Sequence, residues 1–342
     1  MERHKIIKHL GSTGFVYLAH DTQLERDVAI KRLSSEANTK QTELKQQLLT
    51  EAKLLAGLKH PSIVSIYDVI ETATGGDIIM EFVEGDTLEN VVNKRPLELK
   101  SFLYVAAQLL SAIATAHEHG ILHCDLKPSN IMLLELNRSR YKTTVLDFGM
   151  PLSQDQTSDS KSSTQQIVGS IHFIAPEVIE SNTTTEASDI YSIGCLLYYA
   201  LTGKFPFAGE SPVVIMAAHM RNDFIPIQQL VPALPSSLCQ WLEAHLHYKQ
   251  DDRVGSCRES LDALMLLEGI EGLEAISEIC NDNNFEELIQ DSLSSSKKSN
   301  ITLSAKQQEE FEKSKKPSPS ATPQDMVPMS DRINQVRPQD MW

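Results

Sequence analysis

Four side chains near the middle of the chain have the residue types that phosphoryl transfer needs. Asp125, Lys127 and Asn130 fall within six positions, and Asp147 follows seventeen positions after Asn130. A carboxylate can accept the proton of an attacking hydroxyl, and a lysine ammonium can bind phosphate oxygens as a point charge. Amide and carboxylate oxygens are hard ligands that suit Mg²⁺. The set therefore combines a proton acceptor, a cation and two metal ligands.

The sequence around these residues forms a larger pattern of four short motifs. They are His123–Asn130 (HCDLKPSN) and Asp147–Gly149 (DFG), with Val28–Lys31 (VAIK) upstream and Ala175–Glu177 (APE) downstream. In order and separation they resemble the signature set of protein kinases. The chain is similar to Hanks-type (eukaryotic-like) serine/threonine protein kinases, in a bacterial-type form, over residues 1–267. The resemblance implies a bilobal protein-kinase fold of the α+β class.

The resemblance implies catalytic roles for four residues. Asp125 would accept or orient the proton of the substrate hydroxyl, and Lys127 would face the γ-phosphate. Lys31 would reach the α- and β-phosphates, and Glu51, twenty positions later, would pair with it. Taken singly, Lys31 and Glu51 would be ordinary surface charges, so their order and spacing carry the catalytic interpretation. The form Asp-Leu-Lys-Pro-Ser-Asn implies serine or threonine as the phosphate acceptor.

ATP and Mg²⁺ are the cofactors that the resemblance implies, with Mn²⁺ as a substitute metal. Asn130 and Asp147 are the expected metal ligands. Val16 and Met132 would enclose the adenine ring, and the run Met80–Val83 would be the hinge that reads its edge. For Met132, core packing is an equally good interpretation. The expected nucleotide-binding positions are Leu10, Gly11, Ser12, Gly14, Val16, Ala29, Lys31, Met80, Glu81, Val83 and Met132.

The glycine-rich loop departs from the family pattern. Within Leu10–Tyr17, the stretch from Gly11 to Val16 has six residues where Gly-x-Gly-x-x-Gly-x-Val has eight, and the third glycine is missing. A plain hairpin turn is the alternative interpretation of these glycines. Backbone amides from Ser12 to Phe15 can still surround a phosphate. We expect a shorter phosphate lid and a weaker affinity for ATP.

Cys124 stands where many members of the family have an arginine that binds a phosphate on the activation segment, which makes this chain a non-RD type. Without a guanidinium the bidentate contact cannot form. We therefore expect that phosphorylation of this segment is not the activating event. Its candidate autophosphorylation sites are Thr157, Ser158, Ser160, Ser162, Ser163 and Thr164. We expect the Cys124 thiol to be small and buried rather than a redox sensor.

Three further residues are expected, from the same resemblance, to support the site. Asp189, in Asp-Ile-Tyr-Ser-Ile-Gly, would anchor the backbone of the catalytic loop. Arg253 would pair with Glu177, and Ser170 would bridge the catalytic aspartate and lysine. Order and context carry these roles, because a single aspartate or arginine would otherwise be a helix cap or a surface charge.

The first third of the chain has the pattern of a small sheet with one helix. Short β-branched and alternating runs predict strands, and Thr74–Gly76 predicts a hairpin turn. Leucines at helical spacing predict a helix over Thr42–Leu58 that His60-Pro61 ends. The predicted strands are Ile6–Leu10, Phe15–His20, Asp27–Leu33, Ile66–Glu71 and Asp77–Phe82.

After Gly85 the pattern becomes helical. Apolar residues from Phe102 to His117 line one face of a long helix, and Gly120 can adopt the left-handed conformation that ends it. Ser256 and Glu259 have the spacing of a capping box. The other predicted helices are Ser188–Thr202, Val213–Met220, Pro235–Leu246 and Ser256–Leu267.

These patterns divide the chain into four parts. Residues 1–84 would be an N-terminal lobe with a small antiparallel sheet and one helix, and residues 85–267 a larger, mainly α-helical C-terminal lobe. Residues 268–292 would be an acidic helical extension. Residues 293–342, rich in Ser, Lys, Pro, Gln and Asp, predict a disordered tail.

Composition sets the expected surroundings and partners. The 342 residues are 41% hydrophobic and 23% charged with a net charge of −15, which favours protein partners over nucleic acid or an anionic membrane. Five scattered cysteines indicate a reducing compartment. The N-terminal residues lack a secretory signal, and we expect no apolar run of spanning length, because the longest candidate, Ile190–Leu201, is too short for a bilayer. We expect a cytoplasmic protein.

His245 and His247 alternate without further ligands and are expected to pack or face solvent rather than bind metal.

The sequence favours a serine/threonine protein kinase that transfers the γ-phosphoryl group of Mg-ATP to proteins, with autophosphorylation. Its expected partners are protein substrates with serine or threonine acceptors and a partner for the C-terminal extension, without nucleic acid or membrane. One alternative is a pseudokinase scaffold that binds nucleotide weakly, as the shortened loop allows. Another is a small-molecule phosphotransferase, which Ala175–Glu177 and the segment before it disfavour, because they imply a docking surface for proteins.

Overall fold

The computed structural model describes residues 3–10, 15–34, 52, 55–72, 75–137, 139–148 and 170–273. All of them belong to one unit, Met1–Leu293. Within these residues a five-stranded antiparallel sheet comes first and a mainly helical part with a small sheet follows. The fold is therefore of the α+β class.

The first sheet has the strand order β1-β2-β3-β5-β4. Its strands are β1 (His4–Leu10), β2 (Val16–Asp21), β3 (Arg26–Ser34), β4 (Ile66–Thr72) and β5 (Gly75–Glu81). All five predicted strands are present, with ends that differ by three residues at most. The predicted turn is shorter than expected, because Gly75 and Gly76 already belong to β5 and Thr74 lies outside the described residues.

Successive side chains of β3 belong to two different apolar clusters, one on each face of the sheet. Ala29 packs in the main core, whereas Val28 and Ile30 join a small cluster on the other face of the sheet. Successive side chains of a strand point to opposite faces, so Lys31 lies on the same face as Ala29. The strand thereby places the lysine against the main core side of the sheet, where it is 6% exposed.

Most of the predicted helix Thr42–Leu58 lies outside the described residues. Ala52 and Leu55 are helical and buried in the main core. Glu51 is not among the described residues. Most of the predicted extension and all of the predicted tail also lie outside them.

Eight helices follow the first sheet within the described residues. They are α1 (Leu88–Lys94), α2 (Leu99–Glu118), α3 (Pro176–Ser181), α4 (Glu186–Thr202), α5 (Pro212–Arg221), α6 (Ile227–Leu230), α7 (Ser236–Glu243) and α8 (Cys257–Met265). The predicted helices correspond to α2, α4, α5, α7 and α8. One of the two hydrogen bonds of the predicted capping box is present: the Ser256 hydroxyl accepts from the Glu259 amide at 3.1 Å. The short helices α1, α3 and α6 were not predicted from the sequence.

The core of the helical part is built around α2. It ends as predicted, because Gly120 follows with φ +71° and terminates the helix in the left-handed region. By length and composition α2 could cross a membrane, which corrects the expectation that no apolar run reaches spanning length. However, 78% of its apolar window is buried inside the protein. The helix is thus accounted for as a core element.

A second sheet contacts α2 through its last strand, which leads into the segment that carries Asp147. It consists of β6 (Asp86–Thr87), β7 (Ile131–Asn137) and β8 (Arg140–Val145), all antiparallel. The β7–β8 hairpin brings the end of β8 back beside the start of β7. Both candidate metal ligands lie next to this hairpin: Asn130 comes directly before β7, and Asp147 comes two residues after β8.

A buried ion pair joins α3 to the segment before α8. Arg253 Nη1 and Nη2 each lie 2.8 Å from an oxygen of Glu177, as the resemblance implied. Arg253 also donates to the carbonyls of Ala187 and Tyr248, and the Ser188 hydroxyl donates to Glu177 at 2.8 Å. Burial raises the pKa of the Glu177 carboxyl, but the hydrogen bond from Arg253 and the other donors outweigh it, so the net pKa is lowered.

Glu177→Gln is expected to lower the free energy of unfolding by about 3–5 kcal/mol, because it leaves the Arg253 charge buried without its partner. Glu118→Gln is the matched control. Its exposed pair with Arg258, at 3.1 Å, should contribute about 1 kcal/mol or less. Urea unfolding of the two variants and the wild type measures both values, and equal losses would contradict the structural role of the pair.

The same pair predicts a pH dependence of stability. The folded-state pKa of Glu177 is depressed, so its contribution is present above the unfolded-state pKa of 4.5 and is lost as pH falls through the folded-state value. The stability difference between wild type and Glu177→Gln should therefore shrink in acid below that pH. A difference that stays constant from neutral pH into this range would contradict it.

Candidate active site

The backbone of the catalytic loop is held by one buried carboxylate. Asp189, 2% exposed in the first turn of α4, accepts from the amides of His123 at 2.8 Å and Cys124 at 3.0 Å. His117 Nε2 donates to the same carboxylate at 2.9 Å. Cys124 has φ +65°, a conformation that a non-glycine residue rarely adopts and that these bonds hold in place. Asp189 thus anchors the loop as the resemblance implied.

His123 ties the loop to the segment that carries Asp147. Its ring is fully buried, and Nε2 donates to the carbonyl of Leu146 at 2.9 Å while Nδ1 accepts from the Asp125 amide at 3.3 Å. The ring packs 4.7 Å from that of Phe148. Burial lowers the pKa of His123, which keeps the imidazole neutral and this pair of bonds intact.

Asp125, Lys127 and Ser170 form a closed set of contacts. Lys127 Nζ lies 2.6 Å from Asp125 Oδ2 and 3.3 Å from the Ser170 hydroxyl. That hydroxyl donates to Asp125 Oδ1 at 3.3 Å, so Ser170 bridges the two as expected. The side chains of Asp125 and Lys127 are 25% and 18% exposed, which leaves both accessible to a substrate.

Asn130 adjoins this set and the Asp147 segment. Its amide nitrogen donates to the Asp125 carbonyl at 2.8 Å, and its own backbone carbonyl accepts from the Leu146 amide at 2.8 Å. The second bond places Asn130 beside the residue that precedes Asp147. The first bond uses the nitrogen of the side-chain amide, so its oxygen is the atom suited to a metal.

Lys31 and Asp147 form a direct ion pair between the first sheet and the helical part. Lys31 Nζ lies 2.8 Å from Asp147 Oδ1, and the two residues are 116 positions apart. Burial raises the pKa of the Asp147 carboxyl, but the charge and hydrogen bond of Lys31 outweigh it and the net pKa is lowered. Asp147 is therefore ionised and, at 32% side-chain exposure, accessible. The predicted pair of Lys31 with Glu51 lies outside the described residues.

The donor set fits a hard divalent cation that takes part of its coordination from phosphate. Asn130 and Asp147 offer one amide and one carboxylate oxygen centre, the oxygen ligands that Mg²⁺ prefers. In the described part of the chain, no group of three His, Cys, Asp or Glu side chains could hold a metal ion by itself. A cation here would depend on oxygens from a bound ligand.

Most of the other predicted nucleotide positions in the described residues lie on strands β1, β2, β3 and β5 of the first sheet. Leu10 pairs with Val16 across β1 and β2, Val16 pairs with Lys31, and Ala29 pairs with Met80. Two hinge positions follow Met80: Glu81 is the last residue of β5, and Val83 packs partly buried against the main core. Met132 belongs to β7 of the second sheet and is half-buried. Gly11, Ser12 and Gly14 lie outside the described residues.

The expected burial of Cys124 is wrong. The residue is exposed, because the loop directs its amide to Asp189 and leaves the side chain at the surface. Cys195, Cys239 and Cys257 are buried. The candidate phosphorylation sites from Thr157 to Thr164 lie outside the described residues.

The two histidines have the placements expected for them, one packed and one facing solvent. His245 is 1% exposed and its Nε2 accepts from the Ser260 hydroxyl at 2.7 Å, while His247 is exposed. Sequence reasoning placed His117 on an apolar helix face but missed its bond to Asp189. It also missed the contact between Lys31 and Asp147, for which the sequence offers only the order of the motifs.

Comparison with known proteins gives consistent findings. Residues 5–311 match the family model described as protein kinase domain. The serine/threonine-protein kinase PknB of Mycolicibacterium smegmatis is 35% identical over 232 residues, which are 66% of this chain and 36% of that protein. PrkC of Bacillus subtilis, also a serine/threonine-protein kinase, is 37% identical over 240 residues, 69% of this chain and 36% of that protein. The chain thus spans about a third of the length of these relatives.

A solved structure supports the fold alone. The crystal structure of Rad53 1–466 in complex with AMP-PNP has a TM-score of 0.63 and 24% sequence identity. The match covers 76% of this chain and 64% of that one. A second structure, of the Rad53 kinase domain and SCD2, has a TM-score of 0.60 and 23% identity, and covers 76% of this chain and 88% of that one.

The exposure of Cys124 predicts its thiol chemistry. In a Cys280→Ser background, iodoacetamide should alkylate Cys124 in the folded protein while Cys195, Cys239 and Cys257 react only after unfolding, because they are at most 4% exposed. Peptide mass spectrometry after native and denaturing labelling identifies the modified residues. Native labelling of the buried cysteines at the rate of Cys124 would contradict the structure.

Proposed function

The chain belongs to the protein kinase domain family, and on that premise we propose that it transfers the γ-phosphoryl group of ATP to serine and threonine hydroxyls of proteins, including its own. The observation that carries the proposal is the contact set of Asp125, Lys127 and Ser170 beside Asn130 and the Lys31–Asp147 pair. The relatives named above are serine/threonine-protein kinases, which supports this acceptor class.

Asp125 is the group that orients the acceptor hydroxyl and takes its proton. Its carboxylate is accessible, and its position is fixed by Lys127, by Ser170 and by the amide of Asn130. Such positioning matters because phosphoryl transfer requires the hydroxyl and the leaving group to lie in line. A proton acceptor held within hydrogen-bond reach meets that requirement.

Two lysines neutralise phosphate charge. Lys127 carries its ammonium next to the proton acceptor, where it faces the transferred γ-phosphoryl group. Lys31, held on β3 on the core side of the sheet, binds the α- and β-phosphates. Low exposure of Lys31 strengthens its interaction with phosphate, because charges interact more strongly where water is excluded.

Asn130 and Asp147 would hold the divalent cation, and we propose Mg²⁺, with Mn²⁺ as a substitute. A cation bound there supplies positive charge to the phosphate oxygens. The protein's part is to present an ionised carboxylate and a fixed amide oxygen. The low pKa of Asp147 and the hydrogen bonds of Asn130 support both.

Several finer features belong to the same proposal. The kinase is of the non-RD type, since Cys124 replaces the arginine before Asp125, and phosphorylation of the activation segment is not its switch. The shortened run between Leu10 and Tyr17 weakens ATP binding. We also propose the division into residues 1–84, 85–267, 268–292 and 293–342, a partner for the third part, and a cytoplasmic location.

The rival function is a pseudokinase that binds nucleotide weakly and acts through protein contacts. Its one supporting feature is the shortened glycine-rich run. The retained set of Lys31, Asp125, Lys127, Asn130 and Asp147, together with their contacts, favours an active enzyme instead.

Transfer of labelled γ-phosphate from Mg-ATP to a generic protein substrate and to the chain itself tests the proposal. Asp125→Asn and Asp147→Asn should each lower the rate by about 10²-fold or more, because one removes the proton acceptor and the other a metal-binding carboxylate. Asp251→Asn is the control, since Asp251 is exposed in a short turn and takes part in none of the active-site contacts given above, so the rate of this variant should equal that of the wild type.

Two results would contradict the proposal. The first is no transfer at millimolar ATP from wild-type protein that unfolds cooperatively, which would favour the pseudokinase. The second is equal transfer by the wild type and both active-site variants, which would assign the activity to a contaminant.

A further inference from the structure

His219 is a fully buried histidine of α5 that the proposed reaction does not use. The Tyr191 hydroxyl donates to its Nδ1 at 2.7 Å, and the ring of Phe207 lies 4.2 Å from it. Burial lowers the pKa of His219 to about 3, so the ring is neutral. With the Tyr191 hydroxyl as donor to Nδ1, the single ring proton is on Nε2.

The proton on Nε2 has no ordinary hydrogen-bond partner in the described structure, although the atom is buried. Buried polar groups are nearly always paired, and an exception calls for an explanation. The backbone of Ile171 interacts with the ring and partly offsets the effect of burial on its pKa, whereas Nε2 makes no hydrogen bond in the described structure. Helix α5, which carries His219, packs on the short 3₁₀-helix Ile171–Phe173.

The 3₁₀-helix Ile171–Phe173 directly follows a residue of the active site in the chain. Ser170, which precedes Ile171, bridges Asp125 and Lys127. His172 Nδ1 donates to the carbonyl of Phe207 at 2.9 Å, and the ring of Phe207 packs on His219. The backbone on either side of Ile171 is therefore held at one end by catalytic residues and at the other by the His219 cluster.

The cluster also reaches the buried ion pair. The guanidinium of Arg253 lies 4.8 Å from the centre of the Tyr191 ring, over its face, and Arg253 binds Glu177. Tyr191 thus contacts both His219 and the arginine that fixes the end of the same segment. A continuous set of hydrogen bonds and ring contacts therefore links both ends of the segment 170–177.

We infer that His219 is a positioning residue: its Nε2–H, which makes no full hydrogen bond in the described structure, interacts with the backbone of Ile171 and tightens on it when a protein substrate docks on residues 170–177, and this keeps the Ser170 hydroxyl aligned with Asp125 and Lys127. Hydrogen bonds of this kind are often long without substrate and tighten in the complex. The inference rests on the proposed function. It concerns the protein substrate and not ATP, because the residues in contact with His219 include none of the predicted nucleotide positions.

Two substitutions separate the donor from the rest of the ring. His219→Gln places an amide near the position of Nε2 and can still donate to Ile171. His219→Asn keeps an acceptor near Nδ1 for Tyr191 but is too short to reach Ile171. His245→Asn is the matched control, since His245 is equally buried, bonds Ser260 and Trp241, and lies outside this network.

Steady-state kinetics with a peptide substrate is the first measurement. His219→Asn should raise the KM for peptide about tenfold, with the KM for ATP unchanged and kcat within about threefold, while His219→Gln retains most of the affinity. His245→Asn should lower stability but leave the KM for peptide unchanged. Equal behaviour of His219→Asn and His245→Asn would overturn the inference, since both would then be only packing defects.

Hydrogen–deuterium exchange of the peptide that covers residues 170–175 is the second measurement and needs no activity. Exchange should be faster in His219→Asn than in wild type, His219→Gln or His245→Asn. If wild-type protein transfers no phosphate, the proposed function fails, and the exchange comparison still decides whether His219 holds the segment. Unchanged exchange in His219→Asn would overturn that role.

Discussion

The active site depends on the burial of one carboxylate. Asp189 is almost fully enclosed, and an ionised group in such a place is tolerated only when hydrogen bonds compensate the lost hydration. The donors are two consecutive amides of the catalytic loop and the imidazole of His117. Because the carboxylate requires these donors, the loop is drawn to the start of α4, where Thr185 caps the helix. The position of Asp125, one residue beyond the second amide, is a consequence of this requirement.

The same logic of paired buried charge fixes the segment from Ser170 to Glu177. Its beginning is held by the contacts of Ser170 with Asp125 and Lys127, and its end by the pair of Glu177 and Arg253. Neither end is a regular element long enough to hold itself, since α3 has only six residues. Stability therefore comes from long-range polar contacts, which explains how a short and irregular stretch of chain can present a defined surface beside the catalytic residues.

The sequence predicted what local pattern determines and missed what distant contacts determine. The strands of the first sheet and the long helix α2 have clear periodicity, so both were found with small errors at their ends. The two-residue strand β6 and the seven-residue helix α1 are too short to show a period. The exposure of Cys124 follows from a left-handed φ that Asp189 stabilises from 65 positions away, and no local rule gives that. The short motifs supplied the residue types of the candidate site, whereas their distances came from the fold.

The charges of the site are balanced before any ligand binds. Lys31 lies against Asp147 and Lys127 against Asp125, so each ammonium neutralises one carboxylate. On the proposed function, a polyphosphate that binds Lys31 competes with Asp147 for the same ammonium. The carboxylate would then keep its charge in a partly buried place, which is costly unless another cation replaces the lysine. Nucleotide binding and cation binding are therefore coupled by electrostatics, because each removes the cost that the other would otherwise create.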